Sequence, residues 1–275
     1  MSYKKTIIIT GASSGIGAAL STAFAEDGHQ LFICARRQDR LAEVAKKSSS
    51  MYFSKCDVTS ETEVKAFLAS VRRRTKAVDA LIHCAATMGP VGPLVEVDSN
   101  DWLSTIQTDL FGAFFFVKHV VPLMEPDRRP RILLLAGGGA FDPMPNASAY
   151  GVAKAGIVRL VETLAIELAP RNIAVNALAP GFVKTDIFNT LLEAGHERGG
   201  KLYETVVKLL DQWQENDIGR PIECARFLLS DAAAKLTGKT ISARLDPWDS
   251  AEFLRSVDDI LASKLYATQR ANGEC

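Results

Sequence analysis

The chain has 275 residues, 47% of them apolar and 23% charged, with 32 Lys and Arg matched by 32 Asp and Glu. That balance excludes wholesale disorder, which requires few apolar residues and a large net charge. A formal charge of zero supplies no long-range field toward nucleic acid or an acidic membrane, so neither is expected as a partner.

No apolar run reaches the roughly eighteen residues of a membrane span. The densest stretch, 110–124, is interrupted by Lys118, His119 and Pro122. The N-terminal run Thr6–Thr10 is too short for the core of a secretory leader. Five cysteines, at 34, 56, 84, 224 and 275, are odd in number and form no CxxC pair. They read as reduced thiols, and a cytoplasmic protein is expected. The four histidines are scattered, so no metal site is expected.

In chain order, a strand at Thr6–Thr10 leads into a helix over 15–27. Strands at Gln30–Ala35 and Met51–Cys56 are followed by helices over 38–47 and 61–74. A strand at Ala80–Cys84 precedes a long helix over 99–124. A strand at Arg131–Leu135 precedes a helix over 150–169, where Ala153, Ile157, Leu160, Leu164 and Leu168 form one apolar stripe and Pro170 ends it. Then come a strand at Ile173–Ala179, a helical stretch over 187–215, a helix over 221–230 and a last strand at Thr240–Ala243. Most of the strands are apolar on both faces, as buried parallel strands are. Alternation of strand and helix predicts an α/β fold: one Rossmann-like domain over 1–246 with a doubly wound, parallel, seven-stranded sheet. A helical insertion over 184–216 breaks the rhythm, and residues 247–275 form a tail.

The first strand ends in Thr10-Gly-Ala-Ser-Ser-Gly-Ile-Gly17 and runs straight into a helix. A phosphate needs backbone N–H groups aimed at it and no Cβ in the way, which is why glycines gather at such a junction. Gly11 serves the tight turn, Gly15 the approach of a pyrophosphate, and Gly17 the close seating of the helix on the sheet. The second strand ends in Ala35-Arg36-Arg37 with no acid to hold the ribose hydroxyls of NAD. A guanidinium there suits a 2′-phosphate, so NADP is the expected cofactor, with NAD as the alternative.

The ordered series Thr10-Gly-x-x-x-Gly-x-Gly17, Asp57-Val58, Tyr150-x-x-x-Lys154 and Asn176-Ala-Leu-Ala-Pro-Gly181 with Thr185 resembles the short-chain dehydrogenase/reductase family over about residues 4–245. The resemblance implies that Asp57 and Val58 lie at the adenine, and that Val183 and Thr185 hold the nicotinamide end. It assigns further cofactor contacts to Ser13, Ser14, Ile16, Arg36, Cys84, Ala85, Pro180 and Gly181. Tyr150 and Lys154, one helical turn apart, would carry the chemistry: the ammonium favours the phenolate and brings the phenol toward working range. Lys154 would also hydrogen-bond the nicotinamide ribose. The implied reaction is hydride transfer between nicotinamide and a carbonyl or secondary alcohol carbon of a small-molecule substrate.

Three departures bear on that reading. Where the family places a serine, thirteen residues before Tyr150, stands Gly137 within Ala-Gly-Gly-Gly-Ala140. Backbone N–H groups of Gly137–Gly139 are candidate oxyanion donors in its stead; an eroded loop is the other reading. Ser148 is close in sequence but is not expected to face the site. Where the family has a relay asparagine stands Asp109, whose charge would stabilise Lys154 and raise the Tyr150 pKa. The family's Asn-Asn-Ala-Gly reads His83-Cys-Ala-Ala86, with His83 read as a packing residue. Two functions follow: an NADP-dependent oxidoreductase, or a nucleotide-binding sensor or scaffold on the same fold without turnover.

The insertion carries Leu191, Leu192, Tyr203, Val206, Leu209 and Trp213 around glycines 195, 199 and 200, suiting either a mobile lid over an apolar substrate or a packed helix pair. The tail, opening with Pro247-Trp248, is compatible with covering the site, clasping another subunit or packing on its own domain. The apolar helices near 99–124 and 150–169 resemble the family's subunit contacts, so a homodimer or homotetramer is expected.

Overall fold

A computed structural model describes residues 4–263, 266 and 267. All seven expected strands form one parallel sheet in the order β3-β2-β1-β4-β5-β6-β7, the doubly wound arrangement read from the sequence. They are β1 (Thr6–Thr10), β2 (Gln30–Ala35), β3 (Met51–Lys55), β4 (Ala80–His83), β5 (Arg131–Leu135), β6 (Ala174–Ala179) and β7 (Thr240–Ser242). Side chains alternate across each strand, so Ile7, Ile9, Leu31 and Ile33 serve one core. Ile8, Phe32, Leu81 and Ile132 serve the other. Edge strand β3 departs from the two-sided pattern: Tyr52 and Phe53 are exposed.

Helices α1 (Gly15–Glu26) and α2 (Gln38–Ala45) cover one face; α3 (Glu61–Arg72), α4 (Ser99–Ile106), α5 (Gly112–Val120) and α6 (Ser148–Glu167) lie on the other. The expected helix over 99–124 is not continuous. Asp98 caps α4 by accepting from the Asn100 and Asp101 amides, and then a π turn at Gln107–Phe111 separates α4 from α5. A π turn inserts one extra residue and re-aims the side chains beyond it; here Asp109, on the turn itself, is buried. Pro122 converts the far end to a 3-10 turn, because it lacks the N–H a helix interior requires.

The helical stretch predicted over 187–215 is two helices, α7 (Asn189–Gly199) and α8 (Lys201–Gln212), with Gly195 breaking the helical backbone of α7 at φ 71°. Leu191 and Val206 pack with Met88, Val91 and Ala147, above the C-terminal ends of the strands. α9 (Gly219–Leu228) returns to the α1 face.

Beyond β7 the chain packs on its own domain. Trp248 is buried and donates from Nε1 to the Ala243 carbonyl at 3.1 Å, with Arg220 stacked on its ring and paired to Asp249. Two short helices, α10 (Ala251–Arg255) and α11 (Val257–Ala262), add Phe253, Val257 and Ile260 to the same core. The Tyr266 carbonyl accepts from the Thr240 amide at 2.7 Å, pairing one backbone group of β7. Among the described residues, Cys34, Cys56, Cys84 and Cys224 are free thiols; Cys275 lies outside them.

Candidate active site

One cavity of about 650 Å³ opens at the C-terminal ends of the strands, where strand order reverses between β1 and β4. Its floor is the glycine turn. Gly11 takes φ 65°, and a Cβ on it would stand 2.7 Å from the Ala85 amide nitrogen; one on Gly17 would meet the Gly11 carbonyl. Ser14, at the N-cap of α1, makes no side-chain capping bond, so the first amides of that helix retain their capacity for an anion. These features fit the pyrophosphate of a dinucleotide. Thr10 stays below the turn, its Oγ1 accepting from the Cys84 and Ala85 amides and bonded to His83 Nδ1 at 3.0 Å.

Of the residues singled out from the sequence, Gly11, Ser13, Ser14, Gly15, Ile16 and Gly17 line this cavity. So do Arg36, Val58, Cys84 and Ala85. Pro180, Gly181, Val183 and Thr185 close it from the loop after β6, with Thr185 Cγ2 seated against Gly15. Two assigned residues do not reach it. Asp57 turns its Oδ1 to the amide and hydroxyl of Thr59, at 3.0 and 2.8 Å, while its neighbours Cys56 and Val58 line the wall. Asp109 lies behind the wall against Lys154.

Both arginines after β2 line the cavity. Arg37 also donates to Ser14 Oγ at 2.5 Å and to Asp186 Oδ2 at 3.2 Å. Arg40 reaches the same carboxylate at 2.7 Å, and the two guanidiniums hold Asp186 below the usual carboxylate range. No motif pointed to Asp186, because its partners are more than 140 residues away in the chain.

Tyr150 and Lys154 both line the cavity from the first turns of α6. Lys154 Nζ lies 5.4 Å from the Tyr150 ring centroid, donates to the Leu135 carbonyl at 3.2 Å and stands 3.2 Å from Asp109 Oδ2. Asp109 is anchored through Oδ1, which accepts the Thr87 amide at 2.8 Å. Burial pulls the Lys154 pKa down, but the charges of Asp109 and of a Tyr150 phenolate outweigh it and leave the pKa above the ordinary lysine value. Tyr150 shifts in the direction expected from Asp109 and against the one expected from Lys154 alone. Burial pushes its hydroxyl above the ordinary phenol value; Lys154 pulls it down, and Asp109 pushes it further up.

Burial takes His83 down to about 3, so it is a neutral packing residue bonded to Thr10 and set against the Phe116 ring. Ser148 points outward, bonded to Trp102 Nε1 at 3.0 Å. Asn176, in the motif after β5, is structural: it donates to the Leu236 carbonyl and accepts the Lys239 amide, fixing the approach to β7. Among the described residues, no three His, Cys, Asp or Glu side chains gather as a metal site.

A family model for the short chain dehydrogenases matches residues 5–195. The chain belongs to that family. Dehydrogenase/reductase SDR family member 4 from Pongo abelii is 31% identical over 244 residues, covering 86% of this chain and 85% of the relative. The human protein of that name is 30% identical over the same length. Among solved structures, a point variant of actinorhodin polyketide ketoreductase with NADPH superposes with a TM-score of 0.77 at 26% identity, covering 88% of this chain and 97% of that one. NAD+-bound xylitol dehydrogenase matches with a TM-score of 0.77 at 28% identity, over 86% and 96%. Members of this family are oxidoreductases, and the chain has their fold and cofactor cleft. Among the described residues no helix is long and apolar enough to cross a membrane.

Proposed function

We propose that this protein is an NADP-dependent oxidoreductase that interconverts the carbonyl and secondary alcohol forms of a small apolar substrate. The observation that carries the reading is the meeting of Tyr150, Lys154 and the glycine turn in one cavity. A bound nicotinamide dinucleotide supplies the hydride. In reduction, Tyr150 donates its proton to the substrate oxygen, and a hydroxyl whose pKa is held above the ordinary phenol value suits that direction. Lys154, pinned between Leu135 and Asp109, keeps a positive charge beside the phenol and within reach of the ribose side of the cleft.

Arg36 at the cavity and Arg37 at the glycine turn favour a 2′-phosphate, and between the NADPH-bound and NAD+-bound neighbours they favour the former. The substrate end supports an apolar ligand. Met88, Met144, Phe182, Phe188, Leu202 and Val206 line it, α7 and α8 roof it, and Phe182 stacks on Phe188 at 5.0 Å. Exposed Leu103, Phe111 and Phe114 along α4–α5, with Val152 and Ile166 on α6, support self-association through those helices as a homodimer or homotetramer.

The test is cofactor-resolved turnover: a panel of aryl and alicyclic ketones is reduced with NADPH and, separately, with NADH. Saturable oxidation of NADPH, faster than that of NADH, is expected. A reversed cofactor preference contradicts the NADP assignment, and tight NADPH binding without turnover across the panel contradicts the enzyme.

A further inference from the structure

Gly137 has an extended backbone, φ −167° and ψ 174°, that any residue adopts. The turn itself therefore does not require glycine. Space does. A Cβ on Gly137 would overlap the Tyr150 hydroxyl and stand 3.2 Å from Cζ and 3.4 Å from Cε1. The phenol thus occupies the place where a side chain at 137 would begin.

The helix that carries Tyr150 has little room to withdraw. It packs backbone to backbone on the same loop, so that a Cβ on Gly139 would lie 2.9 Å from Gly151 Cα. Beside the Tyr150 ring sits Lys154, fixed by Leu135 and Asp109. Gly138 differs: a Cβ there would meet only Met144 Cε, at 3.8 Å, an ordinary contact.

We infer that Gly137 is a positioning residue, its absent side chain opening the space that the Tyr150 hydroxyl fills, so that a serine restored at 137 displaces the phenol instead of assisting it. The inference deepens the proposed hydride-transfer role and rests on it for its kinetic consequence. Its structural consequence stands alone.

The experiment is a double-mutant cycle of Gly137→Ser and Tyr150→Phe, read first by thermal unfolding without ligand. Gly137→Ser should lower Tm by about 3–10 °C through overpacking, and most of that loss should vanish in the Tyr150→Phe background, where the overlapping oxygen is gone. Gly138→Ala should leave Tm unchanged. If Gly137→Ser does not accumulate as folded protein, recovery of the double variant reports the same coupling, and its failure to recover overturns the inference. So does a Tm loss that is absent, or equal in both backgrounds.

In turnover with NADPH and a ketone, Gly137→Ser should lose about 100-fold in kcat with NADPH affinity unchanged, the scale expected when a proton donor is misplaced by about 1 Å. A Gly137→Ser protein as fast as the parent, or faster, overturns the inference. A parent without turnover would contradict the oxidoreductase reading and leave the Tm cycle to judge Gly137.

Discussion

Asp109 Oδ2 lies 3.2 Å from Lys154 Nζ, with both side chains buried. The cation that would draw the Tyr150 proton off is thereby shared with an anion. Asp109→Asn removes the charge that raises Tyr150. Carbonyl reduction uses the protonated phenol and is lost as pH rises through the pKa of that phenol. Lowering the pKa therefore moves the basic limb of kcat/KM for reduction to lower pH. A pH profile of the variant checks this, and an unmoved limb argues against coupling of Asp109 to Tyr150.

Arg37 spans Ser14 and Asp186, and both Arg36 and Arg37 line the cavity. Charge-assisted bonds to a phosphate contribute about 1.5–3 kcal/mol each. Arg36→Gln and Arg37→Gln should each weaken NADPH about tenfold or more and leave NADH within about twofold. Calorimetric titration with both nucleotides measures the difference; equal losses would remove the 2′-phosphate as the reason for these arginines.

Buried Trp248 and Phe253 join half-buried Phe227 in an aromatic group under Arg220. Truncation to alanine leaves a cavity in the core shared with Leu228 and Ile241. Trp248→Ala should cost about 3–5 kcal/mol of stability, read as a fall in the midpoint of urea unfolding. A loss below about 1 kcal/mol would mean that the segment beyond β7 does not brace the domain.

The sheet and the glycine turn were legible because both are local. Ile7 to Ile9 and Leu31 to Ile33 are apolar on both faces, and Gly11, Gly15 and Gly17 mark where the strand becomes a helix. Strand ends shifted by a single residue, as at Lys55 and His83, where the backbone leaves the ladder before the apolar run ends. The break at 107–111 was not legible, since Gln107-Thr-Asp-Leu-Phe111 fits an ordinary helix and only packing of Asp109 against Lys154 reveals the π turn. Residue types at 150 and 154 gave the pair but not its balance. The direction of the Tyr150 shift depends on burial, a tertiary property, which outweighs the lysine one turn away. The bonds from the Thr59 hydroxyl and amide to Asp57 Oδ1 were likewise not legible in the sequence.

On the proposed function, the Tyr150 hydroxyl moves the proton that accompanies hydride transfer. NADPH oxidation by the parent and by Tyr150→Phe, measured across apolar ketones with NADPH affinity determined for both, tests it most directly. Turnover by the parent is expected, with a loss of about 10²–10⁴-fold in kcat for the variant at unchanged NADPH affinity. Equal rates for the two proteins on every ketone would contradict it.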